Sequence, residues 1–452
     1  MKNLALLTDL YELTMAASYL DHEMFKSASF SLFIRNYPRF RGYFVCAGLD
    51  EALHFLEDLR FSSDDLDYLK ESGLFKSNFL SYLKKFRFTG DVHAIPEGRL
   101  FFVNEPIMEV TAPLIEAQIV ETFLINTIGL QTMIATKASR CVHAAGSRKL
   151  VDFSLRRTQG TDAGMKVARA SYIGGFVGTS NVLAGKAFGI PTFGTMAHSY
   201  ITSFESEIEA FRAFARSFPE NVILLIDTYD TLSGAEKAVK VAKKMSQEGV
   251  KLKGVRLDSG DMAQLSKEVR KILKKAGQGK AMIFASGGFD EFKIKKVLEE
   301  GGDIDSFGVG TKMGVSADAP YVDMAYKLVK YDGHPVLKLS PGKQTLTAEK
   351  QVFRFTTSGG KLKRDIIALR DETLEGGEPL LKRVMREGKI VKRYPSLSRI
   401  QKIFQNEFSR LDDRFKSIDG NKSKYPVGLS PKLKSLQSQM IRKYKREELG
   451  ES

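Results

Sequence analysis

Cysteine is scarce in this 452-residue chain, which has two thiols, Cys46 and Cys141. Two cysteines argue against a disulfide scaffold and against a cysteine-rich zinc site, so we expect a protein of a reducing compartment. The chain also lacks an apolar run long enough to cross a bilayer. Its N-terminal apolar stretch is too short for a signal peptide and is interrupted by Asp9. These absences predict a cytosolic protein.

Negative charge is in short supply as well. The chain has 69 Lys and Arg against 54 Asp and Glu, a formal net charge of +15. Such an excess fits nucleic acid, a membrane surface or small polyanionic substrates. Much of it lies in lysine-rich segments at residues 237–244, 267–280 and 432–446, where it can simply be solvated. Nucleic-acid binding is therefore the less favoured interpretation.

The pattern of helical and strand-like segments changes along the chain. Residues 1–112 mix helical patterns with strand-like runs, beginning with a helix over residues 1–21, and predict an α+β segment. A long helical pattern covers residues 115–145. Short apolar runs then alternate with helical stretches, and these runs lie at residues 150–153, 191–193, 222–226, 254–257, 281–284 and 306–309. Their spacing of about 25 to 45 residues suits repeated strand–helix units.

Repeated strand–helix units fit either an α/β barrel or an open doubly wound sheet. The barrel is favoured because no G-x-G-x-x-G follows the first run and because polar residues follow every run instead of one switch point. We therefore predict an α/β barrel over residues 113–325. An α+β domain of residues 1–112 would flank it, completed by the strands and basic helical tail of residues 326–452.

Arginine pairs stand out among the residues that follow the runs. Arg156 and Arg157 leave the first run, and guanidinium forks bind carboxylate or phosphate through two hydrogen bonds. A surface ion pair is the alternative. Arg256 and Asp258 alternate onto one side of their run, which suits a sugar phosphate with the carboxylate on ribose or Mg²⁺. Asp261 is a second candidate for Mg²⁺, and it can equally cap the next helix.

Glycine-rich turns follow the last two runs. Gly287 and Gly288 lie in SGG (residues 286–288), and Gly310 and Thr311 end GVGT (residues 308–311). Backbone amides in such turns form a phosphate cradle, and barrel enzymes often bind phosphate there. Either turn alone would be weak support, since glycine is common in tight loops. Together they indicate a site for a phosphate monoester.

His198 is the histidine whose position suggests chemistry. It follows the run at residues 191–193 and precedes Ser199, so it would lie at the same edge as the arginines. A purely structural role is the alternative. The other five histidines lack the spacing of metal ligands, so a structural zinc site is not expected.

Taken in order, these motifs resemble those of nicotinate phosphoribosyltransferases. The resemblance covers nearly the whole chain, and the ordered set is far more specific than any one motif. The matching pieces are LTDLY (residues 7–11), FSLRRTQG (153–160), GGFVGTSN (174–181), GTMAHS (194–199), VRLDSGD (255–261), SGG (286–288), GVGT (308–311) and SPGKQT (340–345).

The resemblance implies an enzyme that joins nicotinate to 5-phosphoribosyl 1-pyrophosphate, with release of nicotinate mononucleotide and pyrophosphate. This is the first step of NAD salvage from nicotinate, and it is usually coupled to ATP hydrolysis. The family implies an α/β barrel beside an α+β domain. It also implies a homodimer whose active sites are shared between the two subunits.

The resemblance also implies roles for single residues. Phe153 and Tyr11 of the partner subunit would stack on the two faces of the pyridine ring. Arg156, Arg157 and Arg256 would hold the carboxylate and the phosphates.

Asp258 would bind ribose or Mg²⁺, and the two glycine turns would bind the 5′-phosphate. His198 would be the residue that ATP phosphorylates, with Ser199 beside it as a substrate contact. A phosphohistidine needs one nucleophilic ring nitrogen and a partner that orients the other. The sequence does not name that partner.

Rival functions remain open at this point. Nicotinamide phosphoribosyltransferases resemble the chain but carry an Asp where this chain has Ser180. A carboxylate there would repel nicotinate, whereas a hydroxyl can donate to it, so Ser180 favours the acid. Quinolinate phosphoribosyltransferases are much shorter and lack the N-terminal and His198 motifs. A non-catalytic phosphate- or nucleic-acid-binding protein is the rival of a different class, and its binding would weaken steeply with salt and ignore the pyridine.

Overall fold

The computed structural model describes residues 4–247, 249–340, 342–392, 394–420 and 423–450. The chain divides into two compact units. The first unit is Met1–Met133 with Tyr321–Ser452, and the second unit is Ile134–Pro320. The domain boundaries predicted at residues 112 and 325 stay a prediction. Among the described residues, no helix combines the length and apolar character that a membrane crossing requires.

The chain up to Met133 alternates short helices with short strands. Its helices are α1 (Leu10–Asp21), α2 (Leu49–Asp58), α3 (Ser63–Glu71), α4 (Ser77–Lys85), α5 (Leu114–Ile119) and α6 (Glu121–Ala145), which runs on into the second unit. Its strands are β1 (Ser27–Ile34), β2 (Phe44–Val45), β3 (Asp91–Ala94), β4 (Leu100–Phe101) and β5 (Met108–Pro113). The helix predicted over residues 1–21 begins at Leu10, and residues 1–3 lie outside the described part of the chain.

The second unit continues with strands that are each followed by a helix. Its strands are β6 (Lys149–Asp152), β7 (Gly178–Thr179), β8 (Ile223–Leu225), β9 (Gly254–Leu257), β10 (Met282–Ala285) and β11 (Ser306–Val309). Its helices are α7 (Thr161–Ile173), α8 (Val182–Phe188), α9 (His198–Thr202), α10 (Glu207–Ser217), α11 (Thr231–Ser246), α12 (Met262–Lys275), α13 (Glu291–Glu299) and α14 (Thr311–Gly314), with a 3-10 turn at Leu155–Arg157.

The remainder of the first unit is mainly antiparallel. Its strands are β12 (Met324–Tyr331), β13 (His334–Pro335), β14 (Lys350–Thr356), β15 (Leu362–Leu369), β16 (Glu378–Pro379), β17 (Lys382–Arg386), β18 (Lys389–Ile390) and β19 (Val427–Leu429). Its helices are α15 (Leu397–Arg410) and α16 (Pro431–Leu449), with a 3-10 turn at Asp413–Phe415 between them. Pro341 of the SPGKQT motif lies outside the described residues.

Strands from both ends of the chain share the largest sheet of the first unit. Its order is β13-β12-β1-β5-β3-β17-β18, and β1 is antiparallel to both β12 and β5. Phe30 and Tyr326 stack across the β1–β12 pair with their ring centroids 4.7 Å apart. Such a pair stabilises a fold by about 0.5–1.5 kcal/mol beyond the burial of its area. A second sheet, β16-β14-β15-β19, and a two-stranded sheet of β2 and β4 also belong to this unit.

The second unit is built around a parallel sheet with the order β7-β6-β11-β10-β9-β8. Parallel strands covered by helices on their faces read as continuous apolar runs, and all four residues of β11 are buried. The helices between the strands are amphipathic: α12 buries Val269 and Leu273, while its lysines face outward. Because every pairing is parallel, the carboxyl ends of these strands lie along one edge of the sheet.

The closed barrel predicted from the sequence is not confirmed. Within the described residues β7 and β8 are the edges of the sheet and do not pair with each other. The run at residues 191–193, expected to be a strand, forms a single bridge between Thr192 and Thr179. Pro191 has no amide hydrogen to extend a ladder, and Gly194 follows at once. The established architecture is a mixed α/β chain with a parallel sheet.

Candidate active site

The carboxyl edge of the parallel sheet gathers most of the predicted site residues of the second unit. Phe153 follows β6, Asp258 follows β9, and the two glycine turns follow β10 and β11. His198 reaches this edge from the first residue of α9. Neighbouring parallel strands end side by side, so residues far apart in the sequence meet here.

Arg256 and Asp258 form the centre of the cluster. Arg256 lies in β9 and Asp258 directly follows this strand, and Arg256 Nη2 donates to Asp258 Oδ1 at 2.9 Å. The same guanidinium donates from Nε to Ser286 Oγ at 2.8 Å and from Nη1 to the Met196 carbonyl oxygen at 3.0 Å. One arginine thus ties the ends of β9 and β10 to the segment that leads to His198.

Asp258 is held as a carboxylate. Burial raises its pKa, but a hydrogen bond from the Ser286 hydroxyl and the charge of Arg256 outweigh burial and hold the pKa of Asp258 below its usual value. A negative charge is therefore fixed at the end of β9 at neutral pH. Such a charge can stabilise positive charge that develops on a bound sugar.

Asp227 is a site residue that the sequence reasoning missed. It follows β8, and its Oδ2 accepts from the Asp258 amide at 2.9 Å and from the Ser259 hydroxyl at 2.7 Å. Its Oδ1 is buried and has no hydrogen-bond partner among the described residues. A buried carboxylate oxygen left without a donor is costly, so Asp227 is suited to receive a donor from a bound ligand. The available signal was its place directly after a strand.

His198 meets a hydroxyl on one side and a carboxylate on the other. Its Nδ1 lies 3.1 Å from Thr228 Oγ1, and its Nε2 lies 3.9 Å from Asp258 Oδ2. When Nδ1 carries the proton and donates to Thr228, Nε2 keeps its lone pair and can act as a nucleophile. Its side chain is 43% exposed, so a ligand can reach the ring. The sequence did not identify Thr228 as the contact of this ring nitrogen.

Phe153 presents a partly exposed ring at the end of β6. Its ring centroid lies 5.5 Å from that of Phe284, and Arg256 Cζ lies 5.6 Å from the Phe153 centroid. Its neighbour Asp152 is buried, and burial raises the pKa of that carboxyl although hydrogen bonds from Ser154 and Thr179 lower it in part. These bonds join the ends of β6 and β7 and hold the ring's backbone in place.

Glycine is required in the turn after β10. Gly287 has φ +97°, and a β-carbon there would lie 1.9 Å from the Asp258 carbonyl oxygen. Only glycine lets this turn approach β9 so closely. The next residue, Gly288, has open space where a side chain would point, and Gly310 lies under the Phe153 carbonyl after β11. Thr311 begins α14 on the exposed side of that turn.

Other predicted residues lie at this edge without engaging the cluster. Arg156 and Arg157 are exposed on the 3-10 turn, and neither makes an ion pair within the described part of the chain. Ser180 is held by a bond from its amide to the Asp152 carbonyl at 2.8 Å. Ser199 is exposed beside His198.

Asp258 and Asp261, the predicted ligands of Mg²⁺, do not form a metal site made of protein ligands alone within the described residues. Asp261 caps α12, and its Oδ1 accepts from the amides of Ala263 and Gln264, as the capping interpretation expects. No group of three or more His, Cys, Asp or Glu suited to a metal occurs among the described residues. A cation here would depend on oxygens supplied by a substrate.

Tyr11 belongs to the first unit. It lies near the start of α1 and is 46% exposed. The next residue, Glu12, is buried, accepts from the Thr8 hydroxyl at 2.6 Å and from the Thr122 amide at 2.9 Å, and fixes the start of the helix. Burial raises the pKa of Glu12 to about 7.

Comparison with known proteins gives a consistent result over the whole chain. The family model of the nicotinate phosphoribosyltransferase N-terminal domain matches residues 6–129, that of the nicotinate phosphoribosyltransferase family matches residues 148–357, and that of the C-terminal domain matches residues 376–437.

Individual relatives agree. A nicotinate phosphoribosyltransferase of Mycobacterium tuberculosis is 46% identical over 430 residues, which cover 95% of this chain and 92% of the relative. That of Bacillus subtilis is 39% identical and covers 98% and 96%. The crystal structure of human nicotinic acid phosphoribosyltransferase superposes with a TM-score of 0.86 at 28% identity, over 96% of this chain and 99% of that one. The chain belongs to the nicotinate phosphoribosyltransferase family.

Proposed function

We propose that this protein is a nicotinate phosphoribosyltransferase, which joins nicotinate to 5-phosphoribosyl 1-pyrophosphate and releases nicotinate mononucleotide and pyrophosphate. The observation that carries the proposal is the cluster of Arg256, Asp258, Ser286 and His198 at one sheet edge, in a chain of this family. It combines cationic donors for phosphates, a fixed carboxylate and an accessible imidazole.

The reaction follows from these groups. As the bond from ribose C1 to pyrophosphate breaks, positive charge grows on the sugar, and the ionised Asp258 stabilises it. The pyridine nitrogen of nicotinate is the nucleophile, so no activated serine or cysteine is needed. In this proposal Phe153 provides a face for the pyridine ring, and Arg156, Arg157 and Ser180 donate to the carboxylate and phosphates.

Mg²⁺ would bind together with the phosphoribosyl donor. Mg²⁺ usually keeps several waters and binds one or two carboxylates together with substrate phosphates. Asp258 would hold it, and Asp227 has a buried oxygen without a donor beside it. Asp261 is the weaker candidate because its carboxylate caps α12. When bound, the ion neutralises the leaving pyrophosphate.

ATP coupling is proposed to pass through His198. Nε2 attacks the γ-phosphorus of ATP, the bond from that phosphorus to the β,γ-bridging oxygen breaks, and ADP leaves. Water later hydrolyses the phosphohistidine and regenerates the imidazole. Thr228 accepts the Nδ1 hydrogen and so leaves the lone pair on Nε2.

A homodimer with shared sites is proposed as the working assembly. Apolar side chains are exposed at the start of α1, where Leu10 is 54% exposed next to Tyr11. They are also exposed at the start of α8, two residues after Ser180, where Val182 and Leu183 are 74% and 62% exposed. A second copy of the chain that covers these surfaces would bring Tyr11 of the partner subunit to the pyridine.

We also propose that the parallel sheet is an α/β barrel with one unpaired seam, between the Thr192 bridge and β8. Across the sheet from Thr192 the strands are β7, β6, β11, β10, β9 and β8, which is the chain order read around a ring. A doubly wound sheet would place β8 next to β6, whereas here the last strand, β11, pairs with the first. An experimental structure in which residues 191–193 pair elsewhere would overturn this.

The test is to incubate purified protein with the phosphoribosyl donor and Mg²⁺, with nicotinate or nicotinamide, and with or without ATP. The expected result is nicotinate mononucleotide, formed faster with ATP, and little product from nicotinamide. No nucleotide from either pyridine would overturn the function. Equal product with and without ATP would overturn the coupling alone, and a preference for nicotinamide would overturn the substrate.

A further inference from the structure

Two lysines lie in the first turns of the helices that follow the glycine turns. Lys293, on the first turn of α13, folds back so that its Nζ donates to the Gly287 carbonyl oxygen at 2.7 Å. The same ammonium lies 4.7 Å from the centroid of the Phe289 ring. Lys312, the second residue of α14, lies on the neighbouring turn. Each glycine turn is therefore followed by a helix whose first turn carries a lysine.

One carboxylate serves both lysines. Asp290 is buried, its Oδ1 accepts from the Lys293 amide at 2.9 Å, and its Oδ2 lies 3.1 Å from Lys312 Nζ. Burial and the nearby charge of Lys312 both lower the pKa of Lys293, because two ammonium groups repel each other in a partly desolvated place. The nearby Asp258 is already paired with Arg256. One positive charge is left unbalanced at the two turns.

We propose that Lys293 and Lys312 clamp the 5′-phosphate of the ribose donor, one from each glycine turn. This rests on the proposed function, since the donor supplies the phosphate monoester. A monoester carries close to two negative charges near neutral pH and accepts several hydrogen bonds, which matches two ammonium groups and the turn amides. Its binding relieves the repulsion between the lysines.

The two lysines and His198, the proposed acceptor of the ATP phosphate, lie at the ends of different strands. The lysines lie at the ends of β10 and β11, whereas His198 contacts Thr228 after β8 and Asp258 after β9. Asp258 stands between the two regions. A donor bound by its 5′-phosphate at the clamp would have its sugar directed toward Asp258, with its pyrophosphate farther along the edge.

The experiment compares Lys293→Met, Lys312→Met and the double variant with Lys296→Met. Lys296 is a matched control on α13, because its side chain is 74% exposed and its Nζ lies 3.8 Å from Glu300 Oε1. Steady-state kinetics give KM for the donor and for nicotinate. Calorimetric titration with ribose 5-phosphate, and separately with ATP, measures binding of the monoester and of a triphosphate.

Lys293→Met should raise the donor KM and weaken ribose 5-phosphate roughly tenfold, the size expected when one charge-assisted hydrogen bond is lost. Lys312 is more exposed, so about threefold is expected there. The double variant should lose more than either single variant, but the two losses should not simply multiply, because the lysines share Asp290 and repel each other. The nicotinate KM, ATP binding and the Lys296→Met variant should stay within about twofold. Lys293→Arg should restore most of the affinity.

Unchanged ribose 5-phosphate binding in the double variant would overturn the clamp, as would an equal loss in Lys296→Met. If Lys293→Met unfolds, Lys312→Met still decides, because its ammonium does not hold the turn. A wild-type protein that binds ribose 5-phosphate through these lysines but makes no nucleotide would support the clamp and refute the proposed function. If the double variant makes nucleotide with an unaltered KM for the donor, that result would support the proposed function and refute the clamp.

Discussion

Gly308 leaves room for the ring on which nicotinate is proposed to stack. It is the third residue of β11, and a β-carbon there would lie 2.7 Å from Cδ2 and Cε2 of Phe153 and 2.9 Å from Cε1 of Phe284. Carbon atoms pack best at about 3.5–4.0 Å. In Gly308→Ala the Phe153 ring must therefore move away by about 1 Å. The added β-carbon meets rigid ring atoms, which cannot bend aside as the end of a flexible side chain can.

The size of the effect follows from this displacement. Overpacking of a closed site costs about 1–3 kcal/mol of stability. A shift of about 1 Å in a group that positions a substrate can cost on the order of a hundredfold in rate. We therefore expect kcat/KM for nicotinate to fall by about ten- to a hundredfold. The KM for the donor should change far less, since the three atoms nearest to the added β-carbon belong to Phe153 and Phe284 and none belongs to Asp258 or the turn after β10.

Steady-state kinetics with each substrate varied, together with thermal unfolding, provide the assay. Gly428→Ala is the control, because Gly428 lies in strand β19 of the first unit and a β-carbon added there would meet no described atom within 4 Å. Phe153→Leu in the Gly308→Ala background should restore the unfolding temperature but not the use of nicotinate. If Gly308→Ala is destabilised yet uses nicotinate normally, Phe153 does not form the pyridine platform.

Three further predictions test other parts of the molecule. Thr228→Val should reduce ATP stimulation of nucleotide synthesis about tenfold and spare ATP-independent synthesis, and His198→Ala should abolish the stimulation; full coupling in either variant would contradict the proposed phosphohistidine. Ser180→Asp should raise KM for nicotinate more than for nicotinamide, and an equal rise would remove its role in selectivity. Glu12 has a folded-state pKa of about 7 against 4.5 in the unfolded chain, so its stabilising contribution is full below about pH 4.5 and is lost as pH rises through about 7. Urea unfolding at several pH values should show that Glu12→Gln lacks this decline of roughly 3 kcal/mol, and an unchanged pH profile would contradict it.

Most strands of the parallel sheet could be predicted because a buried parallel strand is a short apolar run. The runs at β6, β8, β9, β10 and β11 are of this kind. In contrast, β7 is Gly178–Thr179, two residues without an apolar side chain, and nothing in its composition marks it. It forms a strand because it pairs with Val151 and Asp152 of β6. This pairing depends on the neighbouring strand and not on the composition of β7.

The site could be predicted as a set of strand ends, but the contacts within it could not. Asp227 reaches the Asp258 amide because Leu225 of β8 is in register with Arg256 of β9. That register joins segments about thirty residues apart and is set by packing of the whole sheet. The contact of Lys293 could not be predicted either. In the sequence it is one more lysine on an amphipathic helix, and only the structure shows that its Nζ donates to the Gly287 carbonyl oxygen.

The unpaired edge of the sheet and the position of His198 have the same cause. The ladder that begins at Thr192 stops after the Phe193 amide bonds to the Thr179 carbonyl, and the chain then leaves the sheet. A continued strand would have kept the following residues extended, with alternate side chains directed to opposite faces. Because pairing ends early, the chain can instead start α9 with an imidazole that lies between Thr228 and Asp258. The early end of pairing that leaves the sheet open therefore also allows His198, the proposed phosphoryl acceptor, to lie at its edge.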